Sequence, residues 1–567
     1  MSSTNENGLD LYTQEIIQNA LIAAGEEMFG ALRRSSMSPI IYESLDYSVG
    51  LTDGAGELIA QGQGTTVFLG MMDSLVKEII TRYGRDNIHP GDVFISNDPY
   101  GGGSTHLSDV GLVTPIFDGD RLVAWAINKA HWVDVGGMQP GSMTTASTEV
   151  FQEGLQLPYI RLISKGEPQQ AVLDILAANI RHPKQSLGDM WAGVAANRVG
   201  EKRILGLIAK YGQKAVLAGM DDLLDYGERM AKAELRKLPK GVFECTDHID
   251  SDGKRPPTEV HVKITITDEE FIADFSKAPP ALPGSINCSW HGLVAACRII
   301  FKAMTNPAVP ANSGTFRPLK VICPPNTCFT VTKPAATSTY WETMLYADDL
   351  IWKAMAELVP QRLTAGHVLS VCATTIETIH PKTGEATLGV QPMVGGWGAA
   401  QDANGLNGQF SIADGETYNI PVEIQEFRNG LHVEQYSFHS EDGGAGEFIG
   451  GRGSYLEYTA REHPVYISGS YGRHDFPPWG VKGGQNGSGN YILVIRKDGS
   501  TEKHLSAARL LLNVGDKARC VTSSGAGWGE PAKRSDEALR DDLRNGFFTP
   551  EQVSKTFGRP ELAAEFA

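Results

Sequence analysis

His106 and Asp109 form a His-x-x-Asp pair. They close a glycine-rich loop, Asn97-Asp98-Pro99-Tyr100-Gly101-Gly102-Gly103-Ser104-Thr105-His106, directly ahead of a strand-like run. His131 stands directly after the next such run, residues 122–128 and a Lys-Ala extension. Two adjacent strands bring their ends together, so His106 and His131 can face one site. Imidazole nitrogens with carboxylate oxygens suit zinc, manganese or ferrous iron, and such a set leaves positions for water or substrate. The competing reading is two ordinary hydrogen-bonded histidines at strand ends, and spacing alone does not separate the two. Asp134 makes a second His-x-x-Asp with His131, either as a ligand or as a partner orienting the imidazole. Asp98, ahead of Pro99, reads as a turn residue. Glu153 is a candidate general base, against the commoner outcome of a solvated or salt-bridged loop carboxylate.

The elements that must position these residues are legible in outline. Residues 11–33 carry apolar positions at helical spacing, with Asp10 placed to cap the start and Arg33 and Arg34 at the end. Residues 41–60 read as extended, with a hairpin turn at Asp53-Gly54-Ala55-Gly56, and 70–84 as a second helix. Residues 92–96, 110–117 and 122–128 read as strands of one sheet, and 169–238 as helical. From 241 strands dominate, with helices near 290–304 and 341–358. The glycine clusters within 385–490 mark tight turns between strands. Pocket walls are expected around 68–72, Trp132 and Trp397. The expected class is α+β: a metal-bearing α/β part over 1–240, a β-rich, glycine-dense part over 241–530, and a charged tail over 531–567 serving as an interaction segment.

Composition excludes several functions. The 567 residues are 41% hydrophobic and 21% charged, a globular balance that exceeds one ordinary core. A net charge of −17 argues against nucleic-acid or anionic-membrane binding. The polar N-terminus is not a secretory signal, and no apolar run is long enough for a membrane span. Seven cysteines without a C-x-x-C pair fit reduced thiols in the cytoplasm and no cysteine-built zinc site. Neither a G-x-x-x-x-G-K-[ST] loop, a strand–G-x-G-x-x-G–helix unit nor a G-x-S-x-G elbow is present, and Gly525-Ala526-Gly527-Trp528-Gly529 reads as a turn.

Beyond the loop, a longer series is ordered along residues 10–490. It includes Ser96-Asn97-Asp98-Pro99-Tyr100, His131 with Gly136-Gly137, Pro140-Gly141-Ser142, Glu149 with Glu153-Gly154, Asn179-Ile180-Arg181, Pro310 with Asn312 and Gly314, and Asn419 with Pro421-Val422-Glu423. The chain resembles the B-type subunit of the ATP-dependent hydantoinase/5-oxoprolinase family, departing only in a slightly longer glycine loop at 101–103. The resemblance implies a divalent metal, zinc or manganese, held by His106, Asp109, His131 and, from an early strand, Asp46. It implies a B chain whose ATP and Mg2+ sit on a separate A-type subunit, in an (αβ)2 heterotetramer. The implied reaction is ATP-driven opening of a cyclic amide (hydantoin, 5-oxoproline or lactam), with Glu153 or Asp134 moving protons. Related alternatives are an ATP-dependent ketone carboxylase and a structural subunit whose metal only braces the fold.

Overall fold

The computed structural model describes residues 10–252 and 255–566; the polar N-terminal segment read above, residues 1–9, lies outside them. In chain order the elements begin α1 (Leu11–Ser35), α2 (Pro39–Tyr42), β1 (Tyr47–Asp53), β2 (Leu58–Gly64), α3 (Thr66–Leu69), α4 (Met72–Tyr83), β3 (Val93–Ser96), β4 (Asp109–Asp118), β5 (Arg121–His131), β6 (Ile160–Ser164) and β7 (Glu167–Pro168). Then come α5 (Gln170–Asn179), α6 (Pro183–Tyr211), α7 (Gln213–Leu235), β8 (Gly241–Ile249), β9 (Thr258–Ile266), β10 (Phe271–Asp274), α8 (Trp290–Thr305), β11 (Leu319–Ile322) and α9 (Trp341–Met355). The α+β expectation holds. Asp10 caps α1 by accepting the Thr13 N–H at 3.1 Å, and Arg33 and Arg34 occupy its last turn. The stretch expected to be extended from 41 instead opens with the short α2, because Pro39 favours a first helical turn.

Strands β1–β7 form one seven-stranded sheet in the order β2-β1-β5-β4-β3-β6-β7. Alternation along β5 divides its two faces. Ala124, Ala126 and Ala130 belong to the large core on the side where α6 lies against β5, whereas Trp125 and Ile127 belong to the core of Met72, Leu75 and Val76 of α4. His131 continues the second series. A smaller sheet, β11-β10-β9-β8, carries α8 and α9.

The last part comprises β12 (Thr374–Ile379), β13 (Ala386–Gln391), α10 (Val422–Asn429), β14 (Leu431–Phe438), β15 (Ser454–Ala460), β16 (Val465–Ser470), β17 (Tyr491–Ile495), β18 (Thr501–His504), β19 (Ser506–Leu512) and β20 (Lys517–Val521). They form two sheets, β13-β12-β16-β19 and β14-β15-β20-β17-β18, which share one core. The charged tail, read above as an interaction segment, folds back instead. Its helices α11 (Asp536–Arg544), α12 (Pro550–Thr556) and α13 (Pro560–Ala564) pack on Ala445 and Ile449, and Arg534 grips both oxygens of Asp542 at 2.7 and 3.0 Å.

The glycine clusters correct the turn reading. Gly443, Gly444 and Gly483 do have positive φ. Others pass backbone against backbone in irregular extended segments. Gly451 N–H donates to the Trp397 carbonyl at 2.8 Å, Gly525 N–H to Gly451 at 2.9 Å, and Gly396 N–H to Ser523 at 2.9 Å. A Cβ on Gly450 would lie 1.9 Å from the Gly525 oxygen, and one on Gly396 2.0 Å from that of Gly451. Glycine is required there for close approach rather than for chain reversal. Gly450→Ala should therefore destabilise the fold by about 3 kcal/mol or more. Gly206→Ala, at an exposed helical site with open space around it, should stabilise by up to about 1 kcal/mol. Thermal unfolding of the two variants beside the parent chain checks both signs.

Candidate metal centre

Three neighbouring strands set the site. Asp109 of β4 faces His131 of β5 in register, and the His131 N–H donates to the Asp46 carbonyl at 3.0 Å, just ahead of β1. Adjacent strands lie roughly 4.8 Å apart, so Asp46, His131 and Asp109 stand in one row. His106 enters from the turn before β4, which closes through the Asp109 N–H to the His106 carbonyl at 3.1 Å. The Ser104 hydroxyl holds that turn by donating to the carbonyls of His106 and Asp109. Asn97 clasps the loop from behind: its amide donates to the carbonyls of Leu107 and Leu155 at 2.8 and 2.9 Å. Asp98 accepts the Tyr100 N–H at 3.0 Å, the turn role expected of it.

Asp109 Oδ1 lies 3.0 Å from His106 Nε2 and 3.1 Å from His131 Nδ1. Asp46 Oδ2 is 4.0 Å from His131 Nδ1, and Thr65 donates to its other oxygen at 3.3 Å. Ligand atoms of His106, Asp109 and His131 all fall within 4.8 Å of one another, and all three residues are buried. Asp46 is the most open of the four, its side chain 23% exposed. Burial, offset in part by His131, pushes the Asp46 carboxyl up to about 6. Burial also works to raise Asp109, but the adjacent imidazoles hold its carboxyl well below the usual range. Burial opposes charge on His106, and Asp109 overcomes it, raising that imidazole.

Glu153 lies behind His106. The His106 Nδ1 donates to the Ser338 carbonyl at 2.9 Å. The Ser338 N–H donates to Glu153 Oε1 at 2.8 Å, joined by the Ser147 hydroxyl at 2.7 Å and the Thr337 N–H at 3.0 Å. Burial raises the Glu153 carboxyl while these donors resist. Asp134 is turned away from the cluster. It accepts the N–H groups of Gly136, Gly141 and Arg181 at 2.8, 3.0 and 3.0 Å, and the Arg181 guanidinium at 3.0 Å. Its lone pairs are committed to that loop, so the geometry corrects its reading as a ligand or proton carrier.

Several neighbours carry no motif. Tyr340 and Trp341, opening α9, edge the His106 ring at 5.2 and 6.0 Å. Lys129 of β5 is fully buried, and burial lowers its amine to about 7. Asp414 arrives from a remote loop, raised to about 8 by burial and then by the charge of Asp46. Thr66 and Val67 pin that loop through the Ala413 carbonyl at 2.8 and 3.1 Å. Of the expected pocket walls, Phe68 lies 5.9 Å from the Lys129 amine, Trp132 is core, and Trp397 lines an open groove beside the Asp414 loop. A signal for Lys129 did exist: a lysine at the end of the apolar run 122–127, flanked by Asn128 and followed by His131.

A second trio, Asp250, His474 and Asp475, also comes within ligand distance. There the Asp250 carboxylate already accepts three backbone N–H groups, from His474, Asp475 and Phe476, at 3.0–3.1 Å. It is a loop anchor.

A family model described as Hydantoinase B/oxoprolinase matches residues 10–531. An uncharacterized protein of Methanocaldococcus jannaschii is 32% identical over 95% of this chain and 94% of its own. Caprolactamase subunit beta of Pseudomonas jessenii is 27% identical over 97% and 96%. The crystal structure of the ATP-dependent caprolactamase from that organism superposes with a TM-score of 0.91 at 26% identity, covering 97% of this chain and 96% of the other. A nucleotide-free acetone carboxylase structure shares the fold, with a TM-score of 0.89 at 17% identity, over 96% of this chain and 79% of the other. The match over nearly the whole length places this chain in the hydantoinase B/oxoprolinase family.

Proposed function

We propose that this chain is the metal-bearing B-type subunit of an ATP-dependent hydrolase that opens cyclic amides. Its partner is an ATP-binding A-type subunit that phosphorylates the substrate, in an (αβ)2 assembly. The observation that carries this reading is the buried meeting of His106, Asp109 and His131, with the Asp46 carboxylate 4.0 Å from His131, in a chain similar end to end to a lactamase subunit.

The donor set fits a divalent ion. Two imidazoles now lean on one buried carboxylate, a task for which a cation is the natural replacement. His131 Nε2 is buried with no hydrogen-bond partner among the described residues. His106, Asp109, His131 and Asp46 would hold zinc or manganese. Such an ion supplies a Lewis acid that brings the pKa of water toward neutrality. The protein's own groups do the placing. The Ser338 carbonyl accepts the hydrogen bond of the His106 Nδ1–H, which leaves Nε2 directed at the cluster. Asp109 ties both imidazoles together. Asp46, the most exposed ligand, marks the side from which a ring substrate reaches the site. Glu153 acts as a positioning residue: it fixes Ser338, and through that carbonyl the tautomer and tilt of His106.

His131→Ala and Asp109→Asn should reduce bound metal from one ion per chain to near zero by elemental analysis. In the complex with the A-type partner they should lower turnover at least about 1,000-fold, on the scale of losing an essential activating group. Full turnover by a metal-free variant that keeps its fold and partner would sink the catalytic reading.

Glu153→Gln keeps the size of the side chain but turns an amide donor toward N–H groups. Metal affinity measured by chelator competition should weaken about 10–100-fold, and Glu153→Asp should recover part of it.

The reaction class is decided by supplying the complex with ATP and either hydantoins, 5-oxoproline and larger lactams, or ketones with bicarbonate. ATP-coupled ring opening is expected. Bicarbonate-dependent consumption of a ketone would instead assign the carboxylase chemistry.

A further inference from the structure

Lys129 is a fully buried amine beside the candidate metal centre, and the mechanism above gives it no task. It lies on β5 two residues before His131, hence on the same face of the sheet. Register places Ser48 of β1 on one side of it and Gly111 of β4 on the other. Those residues are themselves two positions along from Asp46 and Asp109. The row of the sheet next to the metal ligands therefore reads Ser48, Lys129, Gly111.

Neither flanking residue engages the amine. The Ser48 hydroxyl donates to the Thr65 carbonyl at 2.9 Å, and Gly111 has no side chain. Lys129 is 0% exposed, and its Nζ has no hydrogen-bond partner among the described residues. The Phe68 ring, 5.9 Å away, is at the outer limit of a cation–π contact. Asp109 attracts the amine from a distance, but its oxygens are engaged by His106, His131 and the Thr105 hydroxyl. An amine buried without a partner is costly, and a methionine would fill the same space without that cost. Three unused donors beside a candidate metal centre form half of an ion pair.

We propose that Lys129 binds an anionic oxygen of the substrate, carried on a phosphoryl or a carboxylate group, beside the metal. The inference rests on the metal reading of the site. A dication offsets the charges of Asp46 and Asp109, so the ammonium is left to the ligand. With three rotatable donors it serves as a point charge for phosphate or carboxylate.

The test uses the full chain loaded with Zn2+, as parent, Lys129→Met and Lys129→Arg, with metal content counted separately. Inorganic phosphate and acetate are the two probes, and the shift in thermal midpoint reads binding. The expected result has four parts. Lys129→Met keeps its metal. Its midpoint without ligand rises, because an unpaired buried charge is gone. The phosphate-induced shift seen in the parent disappears. Lys129→Arg retains part of that shift. In the complex, turnover by Lys129→Met falls at least tenfold. A phosphate shift without an acetate shift assigns the oxygen to a phosphoryl group, and a shift with both to a carboxylate as well. Equal shifts in parent and Lys129→Met, or none in either, overturn the proposal, as does a lowered midpoint of Lys129→Met, which would make the amine structural. Failure of the metal reading appears independently, as a parent chain that holds no zinc.

Discussion

Asp46, His131 and Asp109 stand on three neighbouring strands, and a slip of one residue in either pairing would turn one of them to the opposite face. The rest of the site depends on that register. It is fixed from both sides of the sheet, by the alanines of β5 on the α6 side and by Trp125 and Ile127 on the α4 side. Packing far from the site thus sets the spacing of the candidate ligands. His106 is the one ligand outside the row, and it is held by a loop in which Asn97 and Ser104 satisfy the backbone. The loop needs its glycines because neighbours crowd it: a Cβ on Gly103 would lie 2.3 Å from the Ser96 hydroxyl.

Charge around this site is arranged in layers. The ligand carboxylates face the imidazoles, Glu153 sits behind them on backbone donors, and Lys129 and Asp414 flank the row. Asp109 is held ionised by its imidazoles, whereas Asp46 and Asp414 are raised toward neutrality by burial. Carboxyls of one type are therefore set to different protonation tasks by surroundings alone.

Much of this was legible in the residues. The His-x-x-Asp pair, the strand that separates it from His131, the cap at Asp10 and the helices over 169–238 follow from local pattern, and local pattern survives folding. Asp46 came only through resemblance, since no spacing rule links it to His131, which adjoins it in the sheet but lies beyond β2, β3 and β4 in the chain. Asp134 and Glu153 had the right chemistry at the right distance along the chain, but backbone donors that no pattern announces had already claimed them. Asp414, Ser338 and Tyr340 were invisible because long-range packing, not periodicity, brings them in. The glycine clusters misled for a related reason. A glycine needed for a turn and one needed for backbone contact look alike in sequence, and only the neighbour distinguishes them.

The loop that carries Asp414 also orders events in time. Thr66 bonds to Ile412 and Ala413 across 346 and 347 residues, and Ser44 to Tyr418 across 374. On a ribosome the row of Asp46, His131 and Asp109 emerges complete with β5, whereas the loop of Asp414 is synthesised only after most of the remaining chain. The candidate site is thus assembled from pieces made at very different times: its row is complete in the first quarter of the chain, and the loop that brings Asp414 to it belongs to the last third.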